Sequence, residues 1–451
     1  MNVAADPVKL IEESKMSAMQ IVVVAVAILL NALDGFDLLS ISFAAPGIAR
    51  EWGVPPTALG IVLSMELVGM GIGALILGGM ADSFGRRNAA LLCLILMLAG
   101  MLGVPFSENT FQLSICRIVT GIGLGGMLST CNALVAEYSS LKRRKLCISL
   151  MVMGFSMGGV VGGYIASRLL GMFDWRAVFY FGSIVTALCI PLVFFLVPEP
   201  VQWLLRKHPA NALNAINKTL AKMGHALIDK MPARPMDDKS ADASIAEIFA
   251  PDYRKQTIFI ALVYVLHAVT FYFPLKWVPV LVVDLGYPPS TAGFVLTWAN
   301  VGGALGGIMF GFLAQRFNLK TLFFTVLIMS GVTVIIFGNA TSNLNVMTFF
   351  CAVNGFFCVS GLAASYAALA QIYPTHSRAF GTGFTLSVGR GGAILSPILA
   401  GMLFSVPYDV SIVSVYMALG SLLAAVFLVF LRFPQTRTDS EAAPEPAVAA
   451  S

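Results

Sequence analysis

The chain has 451 residues, 58% of them hydrophobic and only 11% charged, against about 45–50% and about 25% in a soluble domain. With 42 glycines and 32 phenylalanines, that balance excludes a water-soluble globule and fits a polytopic helical membrane protein, where glycine lets helix backbones approach closely. The net charge of +5 is not a nucleic-acid signal, because the basic residues sit in short segments between apolar runs.

The first fifteen residues are polar and carry no cleavable signal pattern, and the apolar segment after them is too long for a signal core. Apolar runs of about twenty residues then predict twelve spans. Six lie at 17–45, 57–80, 88–106, 111–137, 145–170 and 175–197, and six at 256–283, 290–314, 319–339, 343–371, 378–405 and 409–432. The expected organisation is an N-terminal six-helix half (1–197), a solvated linker with short amphipathic pieces (198–255), a C-terminal six-helix half (256–432) and a disordered tail (433–451). Cys93, Cys116, Cys131, Cys147, Cys189, Cys351 and Cys358 show no metal or disulfide spacing and read as small core residues.

Basic residues orient the bundle. With a cytoplasmic N-terminus, that side receives Arg86, Arg87, Lys142, Arg143, Arg144, Lys145, Arg316, Lys320, Arg378 and the linker cations, and the other side only Arg50, Arg168 and Arg176. The positive-inside rule therefore predicts both termini in the cytoplasm. The loop 78-GGMADSFGRR-87 after span 2 has a worn counterpart, 311-GFLAQRFNLK-320, after span 8, and Glu137 and Arg144 correspond to Gln371 and Arg378. Two six-helix halves related by duplication are a transporter architecture.

These residues carry a resemblance. Gly78-x-x-x-Asp82-x-x-Gly85-Arg86-Arg87 resembles the loop 2–3 signature of the major facilitator superfamily, and Arg117-x-x-x-Gly121 its span-4 motif. The series Gly154, Gly158, Gly159, Gly162 and Gly163 is similar to the span-5 motif, without its usual proline. Asp34-Gly35-Phe36-Asp37 resembles the span-1 signature of the aromatic acid:H⁺ symporter family. The resemblance implies an all-α integral membrane protein of the major facilitator fold in a bacterial inner membrane. Its expected partners are protons and an aromatic carboxylate such as benzoate or a hydroxybenzoate, and it is expected to act as a monomer with no cofactor.

Two carboxylates inside one span need a reason, since each costs about 2.5–3.5 kcal/mol to insert at a helix centre. Asp34 and Asp37 lie at i, i+3 and share a helix face, in the outward half of span 1. Desolvation moves a carboxyl's pKa toward neutrality, which suits a group that takes and releases a proton. Either aspartate qualifies, and the sequence does not rank them. The blander reading places both among lipid headgroups. Glu66 in span 2 is a further buried carboxylate, fit for proton transfer or for pairing between the halves.

An aromatic carboxylate also needs a cation. Arg117 lies about two turns into span 4, Arg390 near the middle of span 11 and Lys276 near the outer end of span 7. Arg117 could hold an aspartate ionised until substrate or a proton competes, or form a permanent structural pair. Arg390 offers a bidentate match to the substrate carboxylate, or else braces span 11. His267 titrates near neutrality but is equally consistent with a histidine fixed by hydrogen bonds. Tyr264, Phe271, Tyr272, Phe273, Trp298, Asn300, Asn354 and Tyr366 could supply ring stacking and hydroxyl recognition, or packing alone. Asp82, Arg86 and Arg87 lie too shallow for substrate. In a facilitator-like fold they would tie the halves together at the cytoplasmic edge, with Glu137 and Arg144 pairing for the same purpose on the next loop.

Gly121-Ile-Gly-Leu-Gly-Gly126 satisfies the dinucleotide pattern G-x-G-x-x-G, which needs a preceding strand and an exposed helix start. Inside an apolar span it serves close packing instead. No Walker motif, metal set or nucleophile pattern favours an enzyme. The competing functions are a symporter of another organic anion, such as nicotinate or a short aliphatic acid, and a proton-driven drug exporter.

Overall fold

The computed structural model describes residues 7–209, 211–232, 248–251, 253–340, 343–373, 377–406 and 408–431. The expected tail and linker residues 233–247 lie outside the described residues. A short helix α1 (Pro7–Glu13) precedes six long ones: α2 (Ala18–Trp52), α3 (Pro56–Phe84), α4 (Arg86–Gly103), α5 (Thr110–Tyr138), α6 (Arg144–Met172) and α7 (Arg176–Leu196). Two linker helices follow, α8 (Val201–Lys207) and α9 (Ala212–Met223). The second set is α10 (Arg254–Asp284), α11 (Pro289–Leu313), α12 (Leu319–Asn339), α13 (Leu344–Ile372), α14 (Arg378–Phe404) and α15 (Val410–Phe430). The 12 long helices, α2–α7 and α10–α15, are apolar enough to cross a membrane.

The first span is longer than its hydropathy suggests. Ser17 and Gln20 form a capping box at its start, the helix continues through Pro46, and Gly53 closes it with a left-handed φ of 62°. Proline removes one hydrogen bond, which a helix packed on its neighbours tolerates. Asp34 consequently lies near the middle of the helix, not in its outward half.

Packing repeats between the sets. α3 packs on α5, α2 on α6, and α4 on α5 and α7; likewise α11 packs on α13, α10 on α14, and α12 on α13 and α15. The repeat reaches atomic register. Gly69, Gly73 and Gly121 press against the carbonyls of Ile118, Ile122 and Glu66, just as Gly302, Gly306 and Gly355 press against those of Ala352, Phe356 and Ala299. At each of these positions a Cβ would drive into main chain, so only glycine allows the spacing.

The halves meet through α6 on α11, α3 on α14, and α2 on α10. We call the end carrying α1, α8 and α9 the near end, and the opposite end the far end. Hydrogen bonds close the far end. Thr57 Oγ1 lies 2.5 Å from Ser405 Oγ, Ser167 donates to the Ser290 carbonyl, and Ser64 donates to Ile394 O at 2.8 Å. Among the described residues, the side-chain hydrogen bond between halves that lies closest to the near end is Arg390 Nη1 to Met70 O, at 2.5 Å. Beyond it the helices part. Far-half α3 exposes Ile61 alone, whereas near-half α3 exposes Ile72, Leu75, Ile76 and Met80 on a wide arc. α6 changes in the same way, from Val161, Tyr164 and the terminal Met172 to Leu146, Leu150, Val152, Met153 and Met157, and α11 from Phe294 and Trp298 to Leu305, Ile308, Met309 and Phe312. The structure is closed at the far end and open at the near end.

Candidate functional site

Charges converge where the opening ends. Glu66 on α3 forms an ion pair with Arg117 on α5, both with fully buried side chains. Its second oxygen lies 3.7 Å from Nζ of Lys276, on α10 of the other half. Lys276 also donates to the Leu38 carbonyl on α2 at 2.6 Å. Glu66 thus bridges a cation of its own half and one from across the interface.

The two aspartates face into the N-terminal six-helix set. Arg117 Nη2 donates to the main-chain oxygen of Asp37 at 3.0 Å, not to its carboxylate, and Nη1 lies 3.3 Å from the Met101 sulfur. All four carboxylate oxygens of Asp34 and Asp37 are buried without a hydrogen-bond partner. Asp37 Oδ1 lies against Gly182 on α7, 3.4 Å from where a Cβ would stand. Asp34 lies near Cys93 and Cys131 on α4 and α5. Small residues around the carboxyls leave them apolar surroundings and no donor.

The duplication shows what is particular to this half. Gly158 meets the Ala32 carbonyl as Gly392 meets that of Val265. Two residues on from each carbonyl stand Asp34 and His267. By the same register Ala299 takes the place of Glu66 and Cys351 that of Arg117. His267 is fixed at both nitrogens, by Ser421 Oγ at 2.8 Å and Cys358 O at 2.9 Å. It is a satisfied core histidine within the C-terminal set.

Beside the charges lies an apolar platform drawn from both halves. Leu38, Leu67 and Ala393 are buried there, with Met70, Phe155, Tyr272 and Ile394 packed around them. Arg390 reaches over it to Met70 O. Tyr264, Tyr272 and Tyr366 lie near Arg390, and Tyr366, 49% exposed, stands on the near-end half of α13. Of the residues singled out in the sequence, the structure brings together Asp34, Asp37, Glu66, Arg117, Arg390, Tyr272 and Tyr366.

It places others elsewhere. Asn354 donates to Thr333 Oγ1 at 3.1 Å inside the C-terminal set. Trp298, 43% exposed, pairs edge-on with Phe294 on an exposed stripe of α11. Neither reaches the cluster. Sequence reasoning named Lys276 among the cations but gave it no partner, and of the platform it named only Tyr272, because Leu38, Leu67, Met70, Phe155, Ala393 and Ile394 carry no polar signal.

At the near end Arg86 binds Asp82 at 2.6 Å and Glu137 at 3.1 Å. Arg144 pairs not with Glu137, as expected, but with Glu12 on α1 at 2.7 Å. Glu199, on the segment after α7, accepts from the backbone N–H groups of Arg86 and Arg87, the first turn of α4. Burial pushes its carboxyl up to about 6, against the lowering effect of those two N–H groups. These contacts lie within the N-terminal half and linker and leave the near end unlatched.

Twelve spans in two repeated sets, closed at one end over buried charges, define a membrane transporter of the two-half, alternating kind. The sequence profile of the Major Facilitator Superfamily matches residues 27–289 and again 258–451, and the chain belongs to that superfamily. It is similar to a gallate transporter of Pseudomonas putida (29% identity, covering 92% of each chain). It also resembles a 4-hydroxybenzoate transporter of Acinetobacter baylyi (27%, covering 96% of each) and a benzoate transport protein of the same species (29%, covering 93% of this chain and 92% of the other). Among solved structures, a crystal structure of a D-xylose-proton symporter superposes with a TM-score of 0.72 at 17% identity, covering 92% of this chain and 98% of that one.

Proposed function

We propose that the protein imports an anionic aromatic carboxylic acid together with a proton, across a bacterial inner membrane, by alternating exposure of the central site. The carrying observation is the buried centre itself. Three carboxyls (Asp34, Asp37, Glu66) stand near three cations (Arg117, Lys276, Arg390), and two of the carboxyls have no donor. Fully ionised, the set is neutral. A proton on Asp37 or Asp34 leaves one positive charge in excess, and a monoanionic substrate cancels it. Burying an uncompensated charge is costly, so the halves close around the pair, proton and anion, far more readily than around either alone.

Arg390 is the carboxylate's receptor in this reading, with the ring lying on the Leu38–Leu67–Ala393 platform. Guanidinium holds a carboxylate through two parallel bonds. The substrate class rests on the relatives, which are transporters of gallate, 4-hydroxybenzoate and benzoate, and on an apolar platform next to a cation. The cation count of the near-end segments supports a cytoplasmic near end, and in this reading the near-open state is the one that releases cargo inward. Asp82, Arg86 and Glu137 act as the near-end latch when the opening reverses, while Arg144 is tied to α1 and Arg87, expected in the latch, is turned away to α7.

The test is uptake of labelled 4-hydroxybenzoate, gallate, benzoate and nicotinate by proteoliposomes under an imposed pH gradient, with and without protonophore. Accumulation of a benzoate-type acid that collapses with the protonophore supports the proposal. Uptake indifferent to it removes the symport claim, and preference for nicotinate moves the substrate class.

A further inference from the structure

A second site lies away from the transport centre, on the outer edge of the N-terminal half at the near end. The exposed face of α7 is a continuous apolar stripe, Tyr180, Ile184, Leu188 and Phe195, at helical spacing. In a membrane-spanning helix such a stripe faces lipid chains. It ends at Phe195, 72% exposed, and there a groove of about 450 Å³ begins, lined by Arg87, Phe194, Phe195, Glu199, Lys218 and Lys222.

The groove is basic. Lys218 and Lys222 stand one turn apart on the exposed face of α9, whose other face, with Ile216, Leu220 and Met223, is buried against the bundle. Arg87 lies over the Phe194 ring at 4.7 Å and donates Nη2 to the Phe194 carbonyl at 2.6 Å. Its Nε is buried with no acceptor. The single acid in its lining among the described residues, Glu199, is turned to the backbone N–H groups of α4, so its charge is spent within the fold. Three cations, one of them with an unused donor, therefore meet the head of a lipid-facing stripe.

We propose that this groove binds the headgroup of an anionic phospholipid, its acyl chain lying along the α7 stripe and its phosphodiester between Arg87, Lys218 and Lys222. A basic pocket at the mouth of an apolar stripe fits an anionic lipid and not a zwitterionic one, whose ammonium would meet three like charges. The apolar stripe separates it from a soluble anion, which would gain nothing from it.

The experiment is binding of a fluorescent phosphatidylglycerol to the purified full chain in neutral detergent. Competitors are unlabelled phosphatidylglycerol, phosphatidylcholine of the same chains, and inorganic phosphate. Phosphatidylglycerol should compete well, and phosphatidylcholine and phosphate poorly. Lys218→Ala with Lys222→Ala should weaken binding roughly 30-fold, since each lysine near an anionic surface contributes about a fivefold factor. On the wild type, about 1 M salt, where screening acts within roughly 3 Å, should erase the preference for the anionic lipid. Equal competition by phosphatidylcholine, unchanged binding in a double variant that keeps its thermal midpoint, or a preference that survives high salt would each overturn the site. Displacement by phosphate as effective as by lipid would make it a phosphate site and refute the lipid assignment.

Discussion

Arg117 holds Asp37 by its backbone and Glu66 by its carboxylate. The guanidinium thus stands beside the Asp37 carboxyl without bonding to it, and among the described residues that carboxyl has no donor. Under the proposed function, a cation placed between two acids, bonded to one and adjacent to the other, would change partner with the charge each acid carries. Breaking a buried pair outright costs about 3–5 kcal/mol, so exchange of partners is the economical motion.

If the aspartates carry the proton, replacing them uncouples transport without abolishing the carrier's movement. With one proton per monoanion, a one-unit pH gradient sustains about tenfold accumulation. Asp37→Asn and the double variant with Asp34→Asn should equilibrate substrate without concentrating it, while exchange of labelled for unlabelled substrate continues. Uptake against a gradient in the double variant would exclude both residues.

Arg390→Lys keeps the charge but loses the planar fork. A hydrogen bond to a charged group is worth about 1.5–3 kcal/mol, so KM for the aromatic acid should rise about 10- to 100-fold with the maximal rate little changed. Competition assays with benzoate and its uncharged amide check the assignment. Where Arg390 only braces α14 on α3, both ligands should lose affinity equally.

The spans were legible because membrane helices must satisfy their own backbone and be apolar for about twenty residues. The glycine register came only from the packing, whereas the duplication that it repeats was visible in the paired loops 78–87 and 311–320. Which way each side chain points was not, because lipid and protein core are alike in polarity, and hydropathy cannot separate a lipid-facing stripe from a packed one. Trp298 and Phe294 on α11 share their outward face with residues no more apolar than those of the core. His267 and Asn354 are polar residues with satisfied partners inside one half, a fact only tertiary contacts supply. Lys276 is the converse case. Its partner Glu66 lies on another half of the chain, and nothing local in either segment links them.

Glu199 gives the near end a pH dependence of defined sign. Burial raises its carboxyl from 4.5 to about 6 in the folded protein. A raised pKa contributes stability that is fully present below the unfolded value and lost as pH climbs through the folded one. The thermal midpoint of the wild type, taken relative to Glu199→Gln, should therefore fall between pH 4.5 and 6.5 and level off above. A difference that rises with pH would mean that the α4 N–H groups outweigh burial.

The far-end closure should be separable from the chemistry. Thr57 and Ser405 bring their hydroxyl oxygens within 2.5 Å across α3 and α14, so the corresponding sulfurs can reach the roughly 2.0 Å of a disulfide. Thr57→Cys with Ser405→Cys should cross-link under mild oxidation in the near-open state. Alternation requires these ends to part on every cycle, so the oxidised protein should lose uptake and regain it on reduction, while each single variant remains active in both conditions. Substrate binding from the near end should survive the cross-link, because Arg390 and the platform lie on the open side of it. Full uptake by a fully cross-linked population would show that the substrate path does not pass between these two helices, and the alternating scheme would then need another gate.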